Sequence, residues 1–239
     1  MQFRSDHSIA GAILIVGFAI SYAIYAGQTI APSRAQVNDT TNNEATEQTA
    51  TLLEKAAPIT ITDHRRGTSN PDLTLIVYND FECPFCKVEH EGLREVFPEY
   101  KDRVQWVARH FPLPIHAKAR NEALASECAD FLGGNDAFWA YSDKIYEATP
   151  SNDGLDSTFL PIIAKDIGLD TDAFNACMTT AEEKFGSRVD MHSDEAIATG
   201  GRGTPWNILV LKDGTRHSIE GALTATQFRT IFNDLLVNE

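Results

Sequence analysis

Leu73-Thr74-Leu75-Ile76-Val77-Tyr78-Asn79-Asp80-Phe81-Glu82-Cys83-Pro84-Phe85-Cys86 is the stretch that decides the fold. Its first six residues form a short β-prone run between Asn70-Pro71-Asp72 and Asn79-Asp80, the pattern of a buried strand. The cysteine pair follows at once. Beyond it Val88, Leu93, Val96 and Phe97 supply a helical face and Pro98 ends it, which puts Cys83 at a helix N-terminus. A second strand is expected over 104–110. Strand, helix and strand in this order predict a right-handed parallel crossover.

Outward from that unit the chain changes character. Between 114 and 199 there is no strand signal, and helical patterns fall at 117–131, 137–147, 158–167, 171–178 and 182–198. Gly133-Gly134, the turn-rich 150–154 and Gly168 punctuate them, and no fixed period makes them a repeat array. Strands return at 207–211 and 216–219 around the turn Asp213-Gly214, a hairpin signature. A last amphipathic helix uses Phe228, Ile231, Phe232 and Leu235. The outline is β-α-β, helices, then β-β-α: an α/β domain over 59–113 and 200–239, interrupted by an inserted helical domain over 114–199.

The N-terminal quarter is different again. Positions 8–26 carry no charge over 19 residues, which as a helix would span roughly 28 Å, close to a bilayer core. Ser21-Tyr22-Ala23 fits a small-x-small cleavage site, but the apolar run continues past it, so residues 1–27 are expected to be a retained anchor rather than a cleaved signal. Either outcome places the rest outside the cytoplasm. Residues 28–58 lack aromatics and read as a flexible linker, with a helical turn at Leu52-Leu53-Glu54-Lys55 as the less favoured alternative. The net charge of −14, with no basic cluster longer than Arg65-Arg66, argues against nucleic acid as a partner.

Four cysteines divide into a close pair, Cys83 and Cys86, and a distant one, Cys128 and Cys177. Two residues between cysteines at a helix start let the sulfurs reach disulfide distance while Cys83 stays at the exposed end. There, unpaired backbone N–H groups and the positive end of the helix dipole stabilise a thiolate, the species that attacks a disulfide or leaves from one. Pro84 suits the first helical turn, where its missing N–H costs little.

Phe81-Glu82-Cys83-Pro84-Phe85-Cys86 after a strand, Arg109-His110-Phe111-Pro112-Leu113 after the next, and Gly203-Thr204-Pro205 before a hairpin together resemble the DsbA family of thiol-disulfide oxidoreductases. The resemblance covers about 59–236. It implies a thioredoxin-like fold with an inserted helical domain and a cis Pro205 facing the cysteines. Thr204 would then offer its backbone to an extended substrate segment. It also implies reduced or misoxidised secreted proteins as substrates, a DsbB-type membrane partner for re-oxidation, a periplasmic or extracytoplasmic location and no bound cofactor. Cys83 is expected to form the mixed disulfide and Cys86 to resolve it. Family oxidants carry His where this chain has Phe85, which cannot donate to the thiolate, so a milder oxidant is expected.

Other readings compete. Cys83, Cys86 and His90 offer three metal ligands, but no fourth is evident and a closed zinc site needs four, so no metal is assigned. Isomerase, reductase and non-catalytic chaperone functions on the same fold remain alternatives. Cys128 and Cys177 are expected to form a structural disulfide in an oxidising compartment. Glu82, Glu89, His90 and His116 are read as ordinary surface or loop residues, with tuning of the cysteines as the alternative for Glu82 and Glu89 and an active-site rim as that for His116. Trp206 is divided between a substrate groove and the core.

Overall fold

The computed structural model describes residues 49–237. The expected anchor over 1–27 and the linker as far as 48 lie outside the described residues. Among the described residues no helix is long and apolar enough to cross a membrane.

The decisive stretch folds as β2, Leu73–Asn79, followed by α1, Pro84–Val96, and β3, Val104–His110. β2 and β3 pair in parallel, Leu73 opposite Val104 and Asn79 opposite His110. Every residue of β2 is buried because the strand is covered on both faces, which is why its sequence is a continuous apolar run rather than an alternation. Leu75 and Val77 point to a cluster with Leu93, Val96, Trp106, Phe228 and Phe232. Ile76 and Tyr78 point the other way, to Val107, Trp206, Ile208 and Ala196. Burying each such aliphatic side chain contributes about 1.5–3 kcal/mol.

The sheet order is β1-β3-β2-β4-β5. β4 (Trp206–Leu211) runs antiparallel to β2, and β5 (Arg216–Glu220) antiparallel to β4, as the hairpin signature requires. β1 (His64–Gly67) is an edge strand antiparallel to β3 that the sequence reading did not contain. α6, Ala225–Val237, packs beside α1. Their approach is close at Gly92, where a Cβ would lie 3.0 Å from the Ala225 amide nitrogen.

The chain between β3 and β4 is helical. α2 runs through Ala119–Ala148 with a break at Gly134, φ 74°, where two helices were expected. α3 (Leu160–Asp166), α4 (Thr171–Met178) and α5 (Ala181–Ala198) follow. Cys128 on α2 and Cys177 on α4 are bonded to each other, with Cα atoms 5.9 Å apart. These helices and the sheet belong to one compact unit.

Two buried polar clusters lock helices onto the sheet. Glu127 of α2 accepts from His64 of β1 at 2.8 Å and His110 of β3 at 2.9 Å, while Arg188 of α5 donates to its other oxygen. Burial opposes the charge, but the two histidines hold Glu127 well below the usual carboxylate range. Arg109 of β3 bonds Asp63 at 2.9 Å and pairs with Glu195 of α5, which also accepts from Tyr78.

The linker reading fails at its C-terminal end. Residues 49–53 form a helical turn, Leu53 and Ala56 are buried against the sheet, and Arg216 donates to both of their carbonyls. Leu52-Leu53 is the apolar edge that makes this docking favourable.

Candidate active site

Cys83 is the N-cap of α1 and Pro84 occupies the first turn, so the Cys83 sulfur faces amides that no earlier carbonyl can satisfy. As a thiol, Cys83 Sγ donates to the Thr204 carbonyl at 3.3 Å. The Thr204-Pro205 bond is cis, and this contact brings the loop before β4 against the cysteine across 121 positions of sequence. A hydrogen bond from the Cys86 thiol, one from the Thr204 hydroxyl and those from the Cys86 and Phe85 amides outweigh burial and lower the Cys83 pKa to about 6.

Cys86 is the opposite case. It lies one turn into α1 and fully inside, so burial, followed by the Cys83 charge, pushes its thiol well above the ordinary range. The Asp80 amide donates to its sulfur at 3.5 Å. At neutral pH the geometry holds a thiolate on Cys83 beside a thiol on Cys86. Only the first is a nucleophile.

Around this pair stand groups the sequence reading placed at the surface. Glu82 and Glu89 are 0 % and 1 % exposed, and His90 is 5 % exposed. Glu89 Oε2 accepts from Asn207 at 3.0 Å and from the Leu223 amide at 3.1 Å, joining α1 to β4 and to the loop before α6. Burial nevertheless pushes its pKa up to about 8. His90 pairs with Asp143 of α2 at 2.7 Å, and burial keeps its pKa low. Among the described residues, the ligand atoms close enough for a metal belong to His64, His110 and Glu127, not to His90 and the cysteines.

Glu82 is gripped by a loop in an unfavourable conformation. Ser151, Asn152 and Asp153 all have positive φ, 67°, 54° and 62°, a left-handed run that costs energy in residues with a Cβ. The run turns the Asn152 amide onto the Glu82 carbonyl at 2.8 Å and the Gly154 amide onto its carboxylate at 3.2 Å. Glu122 of α2 faces Glu82; burial, the hydrogen bond between the two carboxyls and the neighbouring negative charges push Glu122 up to about 9.

A small cavity lies behind Cys86, lined by Asn79, Glu89, His90, Trp106, Tyr146 and the apolar Val77 and Leu93. Asn79 Oδ1, Glu89 Oε1 and Trp106 Nε1, all on that lining, have no protein partner. Trp206 is buried and donates to Thr199 at 3.0 Å, which assigns it to the core. On the outside, Phe85 is 63 % exposed and Ile115 77 %, so large apolar side chains stand next to a redox-capable sulfur on one side and in the loop after β3 on the other.

His116, for which a loop or surface place was preferred to the active-site rim, stands in the site. It is buried, and its Nδ1 lies 2.8 Å from Asp80 Oδ2. No local pattern signals this contact, because Asp80 is 36 positions earlier.

Comparison with known proteins agrees with this geometry. The family model described as Thioredoxin matches residues 59–233. The chain is 28% identical to DsbA2 of Pseudomonas aeruginosa, with a TM-score of 0.62 over 74% of this chain and 97% of that one. The thiol-disulfide exchange protein alpha-DsbA2 of Wolbachia pipientis superposes with a TM-score of 0.66 over 82% of this chain and 98% of its own; at 16% identity that likeness is one of fold. Among curated relatives, Na(+)/H(+) antiporter NhaA 1 of Mycolicibacterium gilvum is 32% identical over 65% of this chain, which spans only 24% of the antiporter's length. With a parallel β-α-β unit, a Cys-x-x-Cys pair at its helix start and a cis-proline loop opposite, the chain belongs to the thioredoxin family, in a fold similar to that of DsbA proteins.

Proposed function

We propose that this oxidoreductase works outside the cytoplasm as an oxidase, introducing disulfides into secreted proteins through the Cys-Pro-Phe-Cys pair. The observation that carries the reading is the asymmetry of the two sulfurs: Cys83 is lowered to about 6, and Cys86 is raised well above its ordinary value. A substrate thiolate attacks Cys83 Sγ of the oxidised pair, and the Cys83–Cys86 bond breaks. Cys86 leaves as a thiolate and takes a proton, because burial disfavours its charge. A second substrate thiolate then attacks the substrate sulfur of the mixed disulfide, and Cys83 leaves as the stabilised thiolate. The substrate gains a disulfide and the pair is left reduced. In this direction the resolving thiol belongs to the substrate; attack by Cys86 on the mixed disulfide is the reverse, reductive step, which corrects the role expected for Cys86.

The magnitude bears on how strong an oxidant this is. At pH 7 a thiol of pKa about 6 rather than 9 stabilises the reduced state by about 1.4 kcal/mol, worth about 30 mV. That supports an oxidant of moderate strength. The sequence over 8–26 supports tethering at the membrane, where re-oxidation by a DsbB-type partner would restore the disulfide. The helices over 114–199 act as the inserted domain that frames the cysteines, with Thr204 and Pro205 receiving an extended substrate segment. Equilibration with glutathione tests the direction of transfer. An oxidase lies more oxidising than glutathione; a pair lying more reducing would reassign the protein as a reductase.

A further inference from the structure

Phe85 stands between the cysteines with its ring in solvent and offers the Cys83 thiolate no polar group. A charge that could take that role comes from another part of the chain. Asp80, in the turn between β2 and α1, is the hub of the site. Its amide donates to Cys86 Sγ at 3.5 Å, and its carbonyl accepts from the Cys83 amide at 3.2 Å. Its carboxylate accepts from the Glu82 and Leu113 amides, both at 2.8 Å, and from His116 Nδ1 at 2.8 Å. One residue therefore fixes the imidazole relative to both sulfurs.

We propose that His116, held by Asp80, supplies the positive charge that stabilises the Cys83 thiolate from outside the cysteine motif and so sets how strongly the pair oxidises. His116 is a positioning residue in this scheme: it acts through Cys83 and takes no part in bond exchange. The charged groups facing it are Asp80 from the β2–α1 turn, Cys83 from the start of α1 and Asp153 from the loop after α2. Hydrogen bonds hold Asp153 below its ordinary pKa and Cys83 at about 6, while burial raises that of Asp80 against the bonds it accepts. Burial works against the imidazolium, but the Asp80 hydrogen bond and charge, then the Cys83 charge, raise the His116 pKa above its ordinary value. Phe111-Pro112-Leu113-Pro114 leads from the end of β3 to this histidine, and the Leu113 amide is bound to the same carboxylate oxygen, so the loop is pinned at two points.

Linkage fixes the signs. A thiolate on Cys83 favours protonated His116, and protonated His116 favours the thiolate by the same factor. Oxidation removes the Cys83 charge, so the His116 pKa falls. Raising the pH through the His116 pKa removes its support and makes the pair less oxidising.

The inference rests on Cys83 being the redox-active thiol, and the test separates the two ideas. The imidazole resonance of His116, assigned by its loss in His116→Gln, is titrated by NMR in the reduced and oxidised wild-type protein and in Cys83→Ser. The reduced wild type is expected to titrate about half a pH unit or more above the other two, a threefold change in the proton equilibrium. Thiolate absorbance of His116→Gln is expected to show Cys83 titrating higher by the same factor. Equal His116 pKa values in the reduced wild type and Cys83→Ser overturn the proposal. A pair that never forms a disulfide with glutathione refutes the oxidoreductase reading instead, and the Cys83→Ser comparison still decides the coupling.

Discussion

Replacing Glu89 by Gln should abolish a large part of the protein's loss of stability between pH 4.5 and about pH 8. Glu89 is buried, and its pKa rises from 4.5 to about 8 because burial outweighs the hydrogen bonds from Asn207 and the Leu223 amide. A carboxyl whose folded pKa lies above its unfolded one favours the folded state when protonated. Its contribution is complete below pH 4.5 and is lost as the pH rises through 8. The difference of 3.5 units corresponds to about 5 kcal/mol, a large share of the roughly 5–15 kcal/mol by which domains are stable. Gln keeps an oxygen to accept from Leu223 and Asn207 but never ionises. Urea unfolding of both reduced proteins between pH 4.5 and pH 9 measures the effect as a difference at each pH, so that other titrating groups such as Glu122 cancel. Glu89→Gln is expected to gain on the wild type steadily through this range, by roughly 3–5 kcal/mol at pH 9. Parallel curves would refute the reasoning, for they would mean that Glu89 titrates normally and is hydrated.

Three further outcomes follow from the same structure. Alkylation of the reduced protein by iodoacetamide should be half-maximal near pH 6 at Cys83, while Cys86 stays unreacted at that pH; mass spectrometry of the labelled peptides reports both. Phe85→His should lower the Cys83 pKa further and make the pair more oxidising, read from thiolate absorbance and glutathione equilibrium, since it adds a donor-capable cation beside the sulfur. Cys128→Ala with Cys177→Ala should reduce unfolding stability by up to about 4 kcal/mol for the 49-residue separation, measured in urea, with the Cys83 pKa unchanged.

The elements nearest the cysteines were legible because their signals are local. The run Leu73 to Tyr78 had to be a buried strand, and Pro84 and Pro98 bracket the helix that follows. β1 was not legible: His64-Arg65-Arg66-Gly67 has no apolar alternation, and it becomes a strand by pairing with β3 while Glu127 hydrogen-bonds its histidine. The misplacement of Glu89 and His90 has a clear cause. Val88 was counted on the apolar face of α1, yet it is half exposed, and the buried face is Cys86, Glu89, His90, Leu93 and Val96. Counting from Cys86 at intervals of three and four gives that face directly. It looks wrong in sequence because its two polar members meet Asn207 and Asp143, partners 118 and 53 positions away. His116 escaped for the same reason, its partner being the aspartate three residues before the first cysteine.

Cys83 is the sulfur that exchanges in the proposed mechanism. Oxidised wild-type protein and its Cys83→Ser variant, each mixed with a reduced, unfolded secreted protein, test this most directly when free thiols and trapped intermediates are followed in time. The wild type is predicted to form a mixed disulfide through Cys83 and to end with both of its own cysteines reduced as the substrate gains a disulfide. Disulfide formation at an undiminished rate with Cys83→Ser would contradict the account.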